Sequence, residues 1–408
     1  MNTYIEGAIT KVAGFETAGV KAGVKYQNRE DMALIYSTVP CTAAGVFTKN
    51  VVKAAPVLWD QHIVKTSASV QAIVVNTGIA NAGTGSGGYE DAKQTAAYAA
   101  EKLGINSDAV LVASTGVIGP RLPMDRIFAG IDQLVSCKNA EGSNSDAAAR
   151  AIMTTDTKPK QLCVTTQIGG QVVHVAGIAK GSGMIHPNMG TMLAFVATDA
   201  AISKKMLQAA LEQDVVDTYN MISVDGDTST NDTLLALANG LANNRIIDGP
   251  GEDFDAFVAA LHLFNEKMAM SLAGDGEGAT ALYEAVVDHA ASKEDARKLA
   301  KAMVCSSLCK AAIFGHDANW GRFLCALGYS GANFDPNLVT ITFEANGRAI
   351  IIFTKGAGVA YSEEAATAIL ESDQVTVRAD MGAGDYSATA WGCDLSYDYV
   401  KINADYRS

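Results

Sequence analysis

Ala179-Lys180-Gly181-Ser182-Gly183-Met184-Ile185-His186-Pro187-Asn188-Met189-Gly190-Thr191-Met192-Leu193-Ala194-Phe195 decides how this chain is read. An apolar, β-branched run, Val172 to Ala179, feeds a Gly-rich turn. A second strand-like run, Met192 to Ala197, starts as soon as the turn ends. The turn closes on a Gly-Thr bond. Gly190 carries no Cβ, so the bond before Thr191 can be bent into geometry closed to other residues. A Thr hydroxyl beside such a bond can attack its own preceding carbonyl. If that bond breaks, Thr191 becomes a new N-terminus, and its α-amine, with an ordinary pKa of about 7.7–8.0, can act as base for its own hydroxyl. Taken alone, these residues are also compatible with a plain glycine hairpin between two core strands.

The bulk numbers frame this reading. A chain of 408 residues exceeds what one hydrophobic core usually serves, so two domains or two halves of one layered domain are expected. Charged residues make up 18%, which places the chain among globular proteins and away from disorder. The net charge of −13 argues against nucleic acid or an anionic membrane surface as partner, since both need clustered cations. Seven scattered cysteines read as free thiols of a reducing compartment. Cys305 and Cys309 lack further ligands at metal spacing and read as structural. Without a basic-then-apolar leader or a run of membrane-spanning length, the expected location is the cytoplasm.

Along the chain, strand-like runs are expected at Met32 to Ser37, Ala44 to Thr48, Val70 to Asn76 and Val110 to Ala113. Helices are expected near Tyr89 to Leu103, Met124 to Leu134 and Ala147 to Met153. Gln161 to Ile168 and Gln171 to Ala179 predict a hairpin. Beyond Thr191, helices are expected at Lys204 to Asp214, Thr228 to Asn239, Asp253 to Ala273, Lys293 to Phe314 and Glu363 to Leu370. A strand is expected at Ala279 to Asp288, with hairpins around Asn346-Gly347 and Gly382-Ala383-Gly384, and a last strand at Tyr397 to Ile402. This order predicts an α+β protein, layered and αββα-like, with largely antiparallel sheets.

Several polar segments compete for function. The glycines of 76–88 fit neither a Walker A loop nor a dinucleotide fingerprint, so a structural turn is the better reading. Ser114-Thr115-Gly116 sits between a strand and a loop entering a helix, where backbone N–H groups are available to an oxyanion; a strand-end turn is the alternative. Thr154-Thr155-Asp156-Thr157 could be a capping turn. Ser223 to Asp232 resembles a calcium loop only superficially and reads as helix capping, with no catalytic role. His186 and His316 read as structural.

Residues 180–193 resemble, position for position, the self-processing site of the ornithine acetyltransferase (glutamate N-acetyltransferase) family. Ser114-Thr115-Gly116-Val117-Ile118-Gly119 is similar to that family's oxyanion motif. The Thr-Thr-Asp-Thr segment, Asp275-Gly276-Glu277-Gly278 and the C-terminal Asn403-Ala404-Asp405-Tyr406-Arg407-Ser408 are similar to its substrate segments. The resemblance covers essentially the whole chain. It implies cleavage between Gly190 and Thr191, giving an α chain, 1–190, and a β chain, 191–408, in a fold of paired sheets flanked by helices. It implies Thr191 as nucleophile, Thr115 and Gly116 as oxyanion donors, and Thr157, Lys180, Thr191, Glu277, Asn403 and Ser408 as substrate contacts, with Thr155 the alternative to Thr157. The implied activity moves acetyl from N-acetylglutamate to ornithine in arginine synthesis. It calls for no metal or organic cofactor, leaves acetyl-CoA open as a second donor, and suggests an α2β2 assembly. A self-processed Thr aminopeptidase or amidohydrolase is the competing enzyme reading.

Overall fold

The computed structural model describes residues 2–186 and 192–405, so Gly190, Thr191 and Ser408 lie outside the described residues. Among the described residues, nine strands form one sheet system folded about the 16-residue strand Met32–Phe47. Thr3–Ile5, Lys160–Ile168, Gln171–Lys180, Leu193–Thr198 and Thr233–Ala238 lie side by side and end on the second half of Met32–Phe47. The first half of that strand pairs with Phe15–Val20 and Val70–Ile79, and Val110–Val117 follows. The two halves meet at residues 37–41, where the register slips between Tyr36 and Cys41. Pro40 has no N–H to give the ladder there.

Side chains alternate along a strand, so each half has two faces. Ile178, Phe195 and Leu235 from one half share a buried cluster with Ile35, Ile73 and Val75 from the other. The helices Gly85–Leu103 and Met124–Cys137 press Ala92, Ala96, Ile127 and Ile131 into the same cluster. On the opposite side, Val175, Val196 and Leu234 pack with Leu207 and Leu211 of Lys204–Asp214 and with Phe257, Leu261 and Phe264 of Glu252–Gly274. The layers therefore run helix, sheet, sheet, helix, and most ladders are antiparallel. Each fully buried Leu or Phe contributes roughly 1.5–3 kcal/mol relative to exposure.

A second sheet of seven strands, among the described residues, runs from Ala357–Gly358 through Arg348–Thr354, Thr340–Ala345, Gln374–Asp380, Leu282–Ala290 and Tyr386–Cys393 to Ile222–Ser223. Tyr283, Ala285, Val375 and Val377 bury its inner face against Leu299, Met303 and Val304 of Lys293–Cys305. No helix of the described residues is long and apolar enough to cross a membrane.

Four sequence expectations are corrected here. The expected helix Thr228 to Asn239 is a loop followed by the strand Thr233–Ala238. All six residues of that strand are buried, because it lies between Leu193–Thr198 and Met32–Phe47. A strand covered on both faces reads as an unbroken apolar run and carries no period of two. The expected strand at Tyr397 to Ile402 is the surface helix Tyr397–Asp405, which buries no residue and so leaves no pattern to read. Lys293 to Phe314 is two helices, broken at Ser306, whose Oγ accepts the Cys309 N–H at 3.2 Å and caps the second. Gln374–Asp380 and Tyr386–Cys393 are not a hairpin; they flank Leu282–Ala290. Their connection crosses the end of that strand, where the His289 carbonyl accepts the Ala383 and Gly384 N–H groups at 2.8 and 2.9 Å.

Candidate active site

Val70–Ile79 and Val110–Val117 run parallel, with Thr77 opposite Thr115 and Gly78 opposite Gly116. The ladder slips one residue later. Gly116 has φ +130°, and a Cβ there would stand 2.3 Å from the Gly78 carbonyl carbon. Only glycine satisfies both the backbone angle and the close approach. Thr115 and Gly116 therefore sit at a distorted strand end, and both line a cavity of ≈ 140 Å³.

Asn231 fastens this strand end. Its Nδ2 donates to the Ala80 carbonyl at 2.6 Å and to the Ser114 carbonyl at 2.8 Å, and its Oδ1 accepts from Thr230 Oγ1 at 2.6 Å. The amide is buried and its bonds are directional, so it holds the peptide before Thr115 in place.

Lys180 enters from the end of Gln171–Lys180, opposite Leu193 in the antiparallel ladder. Its Nζ donates to Thr115 Oγ1 at 3.0 Å. Burial pushes the ammonium below its ordinary range, while Asp156 pulls the other way. Asp156 accepts from Lys160 Nζ and the Gly181 N–H, both at 2.7 Å, and from the Thr154 N–H at 3.0 Å. Burial alone would raise the Asp156 carboxyl, but Lys180 and Lys160 outweigh it and hold it at about 2. Lys160 also donates to Asp275 at 2.6 Å.

The far wall carries Glu277 and Asn403. Asn403 Nδ2 donates to Glu277 Oε2 at 2.7 Å and to the Tyr399 carbonyl at 3.0 Å. The Ser182 carbonyl accepts the Glu277 N–H at 3.0 Å, and Ser182 Oγ donates to the Asp275 carbonyl at 2.7 Å. A Cβ on Gly183 would lie 2.3 Å from the Glu277 carboxyl, so the turn's glycine lets the carboxylate into the cavity.

Thr115, Gly116, Lys180, Glu277 and Asn403, chosen from sequence, thus converge on one cavity. Thr157 does not line it. Its hydroxyl donates to the Asp275 carboxylate, and it faces a neighbouring groove with Lys158 and Lys401. Thr154 and Thr155 line the cavity in its place. Gly190, Thr191 and Ser408 are outside the described residues.

Sequence reasoning took the Ser223 to Asp232 segment for helix capping with no catalytic role, but it leads into the strand Thr233–Ala238 instead of a helix. Ser229, Thr230, Asn231 and Asp232 line the cavity. Asp225 accepts the Met184 and Ile185 N–H groups at 2.6 and 2.8 Å, and Thr228 Oγ1 donates to the His186 carbonyl at 2.7 Å. The Thr233 N–H donates to the Met192 carbonyl at 2.9 Å, so one segment grips both ends of the Gly-rich turn. The available signal was a run of short polar side chains directly before a fully apolar strand. His186 Nδ1 lies 3.2 Å from Ser223 Oγ and 3.5 Å from Cys305 Sγ, and burial pushes its pKa down to about 4.

The buried charges allow a stability prediction. Asp156→Ala removes the carboxylate that Lys160, Lys180 and the Gly181 N–H share. Breaking such a group is expected to cost about 3–5 kcal/mol. The Asp156 carboxyl titrates at about 2 in the fold and near about 3.9 unfolded. Its stabilisation is therefore present above the unfolded value and is lost as pH falls toward the folded one. Urea unfolding of the variant should show a lowered midpoint with unchanged slope; a change under about 1 kcal/mol would contradict the assignment.

A buried cation, a hydroxyl donor and a positive-φ glycine around one cavity, set in a helix–sheet–sheet–helix fold, are the parts of an acyl-transfer enzyme. The chain belongs to the ArgJ family, which matches residues 16–408. It is 51% identical over 401 residues to the arginine biosynthesis bifunctional protein ArgJ 1 of Clostridium acetobutylicum, covering 98% of this chain and 97% of that one. It is 50% identical over 408 residues to the arginine biosynthesis bifunctional protein ArgJ of Symbiobacterium thermophilum, covering 99% and 100%. The crystal structure of the arginine biosynthesis bifunctional protein argJ from Bacillus halodurans is similar at 45% identity and a TM-score of 0.50, covering 98% of that chain and 52% of this one.

Proposed function

We propose that this chain is a glutamate N-acetyltransferase that moves acetyl from N-acetylglutamate to ornithine through an acetyl-enzyme on Thr191. The observation that carries the reading is the convergence of Thr115, Gly116, Lys180, Glu277 and Asn403 on one cavity at the foot of the strand pair that brackets the Gly-Thr bond. The names of its relatives, which place them in arginine biosynthesis, support it.

In this reading the chain first cleaves itself into 1–190 and 191–408. A solved relative whose chain matches only 52% of this one has the size expected of one piece. Thr191 Oγ then attacks the acetyl carbonyl, and its proton passes to the Thr191 α-amine. Thr115 Oγ1–H and the Gly116 N–H stabilise the tetrahedral oxyanion. The acetyl–nitrogen bond breaks, the leaving glutamate nitrogen takes the proton, and acetyl-Thr191 remains. Ornithine's amine attacks that ester, gives its proton to the Thr191 amine, and collapse restores the hydroxyl. Glu277, held by Asn403, suits the cationic acceptor. No metal or organic cofactor takes part. Acetyl-CoA, loading the same Thr191, would give the enzyme a second activity; its relatives are named bifunctional proteins. The pieces are expected to assemble as α2β2.

Kinetics tests the reading. Glutamate must leave before ornithine reacts, so double-reciprocal plots should be parallel. N-acetylglutamate alone should add one acetyl mass to the 191–408 chain, and ornithine should clear it much faster than water. Intersecting lines without an acetylated chain would mean direct transfer. Rapid clearance by water would mean an amidohydrolase.

A further inference from the structure

We propose that Lys180 is a positioning residue for the oxyanion site: its ammonium occupies an acceptor lone pair of the Thr115 hydroxyl and so commits that hydroxyl's one proton to the reacting carbonyl oxygen. The proposal rests on the acetyl-transfer reading above, and it gives Lys180 a different task from holding a substrate carboxylate.

Donor arithmetic carries the argument. An ammonium has three donors and no acceptor, whereas a hydroxyl has one proton and two lone pairs. At 3.0 Å, Lys180 Nζ and Thr115 Oγ1 can share a hydrogen bond only with lysine as donor while lysine is charged. Thr115 must accept, and its proton stays available to an acceptor in the cavity that it lines. Accepting a charge-assisted bond also makes the hydroxyl a stronger donor.

The surroundings hold this pair in register. Lys180 is the last residue of its strand, paired with Leu193, and the next N–H, that of Gly181, is bonded to Asp156. On the other side, Asn231 fixes the Ser114 carbonyl one residue before Thr115. The charged groups facing the ammonium are Asp156, Asp232 and Glu277, which favour its charge, and Lys160, which opposes it. Burial is the largest influence and also opposes it. Lys180 therefore loses its proton below the ordinary lysine range of about 10.4. A neutral amine accepts, so the Thr115 proton would turn toward Lys180 and away from the cavity. The acetylation rate should fall on the basic side of its pH profile, with little change in KM.

A double-mutant cycle on acetylation of the 191–408 chain by N-acetylglutamate tests this. Thr115→Ala should slow acetylation by about 10²–10³, and Lys180→Met by at least about tenfold. KM should stay within about threefold in each. In the Thr115→Ala background, Lys180→Met should cost no more than about another threefold, because its only route is already gone. Lys180→Gln, which keeps a donor that cannot titrate, should recover part of the rate and flatten the basic limb. Multiplicative losses, a rise in KM that accounts for the whole effect, or a basic limb that persists in Lys180→Gln would overturn the proposal. If the lysine variants do not fold or self-cleave, the wild-type profile decides: a basic limb below pH about 10 supports the coupling, and a flat profile to that pH overturns it. A wild-type enzyme that accepts no acetyl from N-acetylglutamate would refute the functional reading instead. The same cycle is then run on acetylation by p-nitrophenyl acetate, whose tetrahedral intermediate needs the same donor.

Discussion

Thr191→Ala is expected to leave one inactive chain of 42.5 kDa where the wild-type protein gives two pieces. Both steps assigned to Thr191 need its hydroxyl. The first is attack on the Gly190 carbonyl; the second is attack on the acetyl donor with the freed α-amine as base. Alanine removes the hydroxyl, so neither step starts, and the loss should reach the detection limit. Thr191→Ser keeps the hydroxyl and should still cleave, though more slowly. Gel mobility and intact mass give the chain count, and N-terminal sequencing of the larger wild-type product should read Thr-Met-Leu-Ala-Phe. A wild-type protein that stays whole yet turns over fully would sink the free-amine mechanism, and a cleaved Thr191→Ala would sink cleavage by the Thr191 hydroxyl.

The second large effect is at Thr115. Its hydroxyl is preset by the Lys180 ammonium at 3.0 Å and by a strand end that Asn231 clamps. A donor fixed before charge develops helps the transition state more than the ground state. Thr115→Ala is therefore expected to lower the acetylation rate by about 10²–10³ while substrate affinity changes little. Thr115→Ser should retain most of the rate. Single-turnover acetylation, followed by mass on the 191–408 chain, separates rate from affinity. A loss confined to affinity would reduce Thr115 to a substrate contact.

The cavity was legible where its residues sit in compact local motifs. Thr115-Gly116, Lys180 with its glycines, and Glu277 between two glycines were legible because these motifs resemble a known family; taken alone each also suited a structural turn, and the close approach of Gly116 to Gly78 is seen only in the structure. Asn231 and Asp225 were not legible. Their partners lie 117 and 40 residues away, at Ser114 and Ile185, and nothing local distinguishes them from capping residues. Thr157 and Thr155 share one short turn, and only Asp275, over a hundred residues on, draws the Thr157 hydroxyl away from the cavity. The fold divides in the same way. The amphipathic helix Lys204–Asp214 and the Asn346-Gly347 hairpin were readable from period and turn chemistry. Thr233–Ala238 was not, because burial on both faces erases the period that marks a strand.

The placement of Leu193–Thr198 between Gln171–Lys180 and Thr233–Ala238 governs how such an enzyme is made. A chain that began just before Leu193 would have to thread its first strand into the middle of a finished sheet, with neighbours on both sides. If the chain cleaves itself as proposed, the strand is woven in while the polypeptide is still one thread, and its register against residues 175–180 is found within a single molecule over a short sequence separation. Cutting afterwards leaves the weave in place. It also removes the tether, so two separated pieces would have to find the same rungs by bimolecular encounter. Under the proposed cleavage, biogenesis would run one way, like a ratchet: the reactive terminus would exist only as the offspring of an intact parent, and a pool of unfolded halves would carry no short path back.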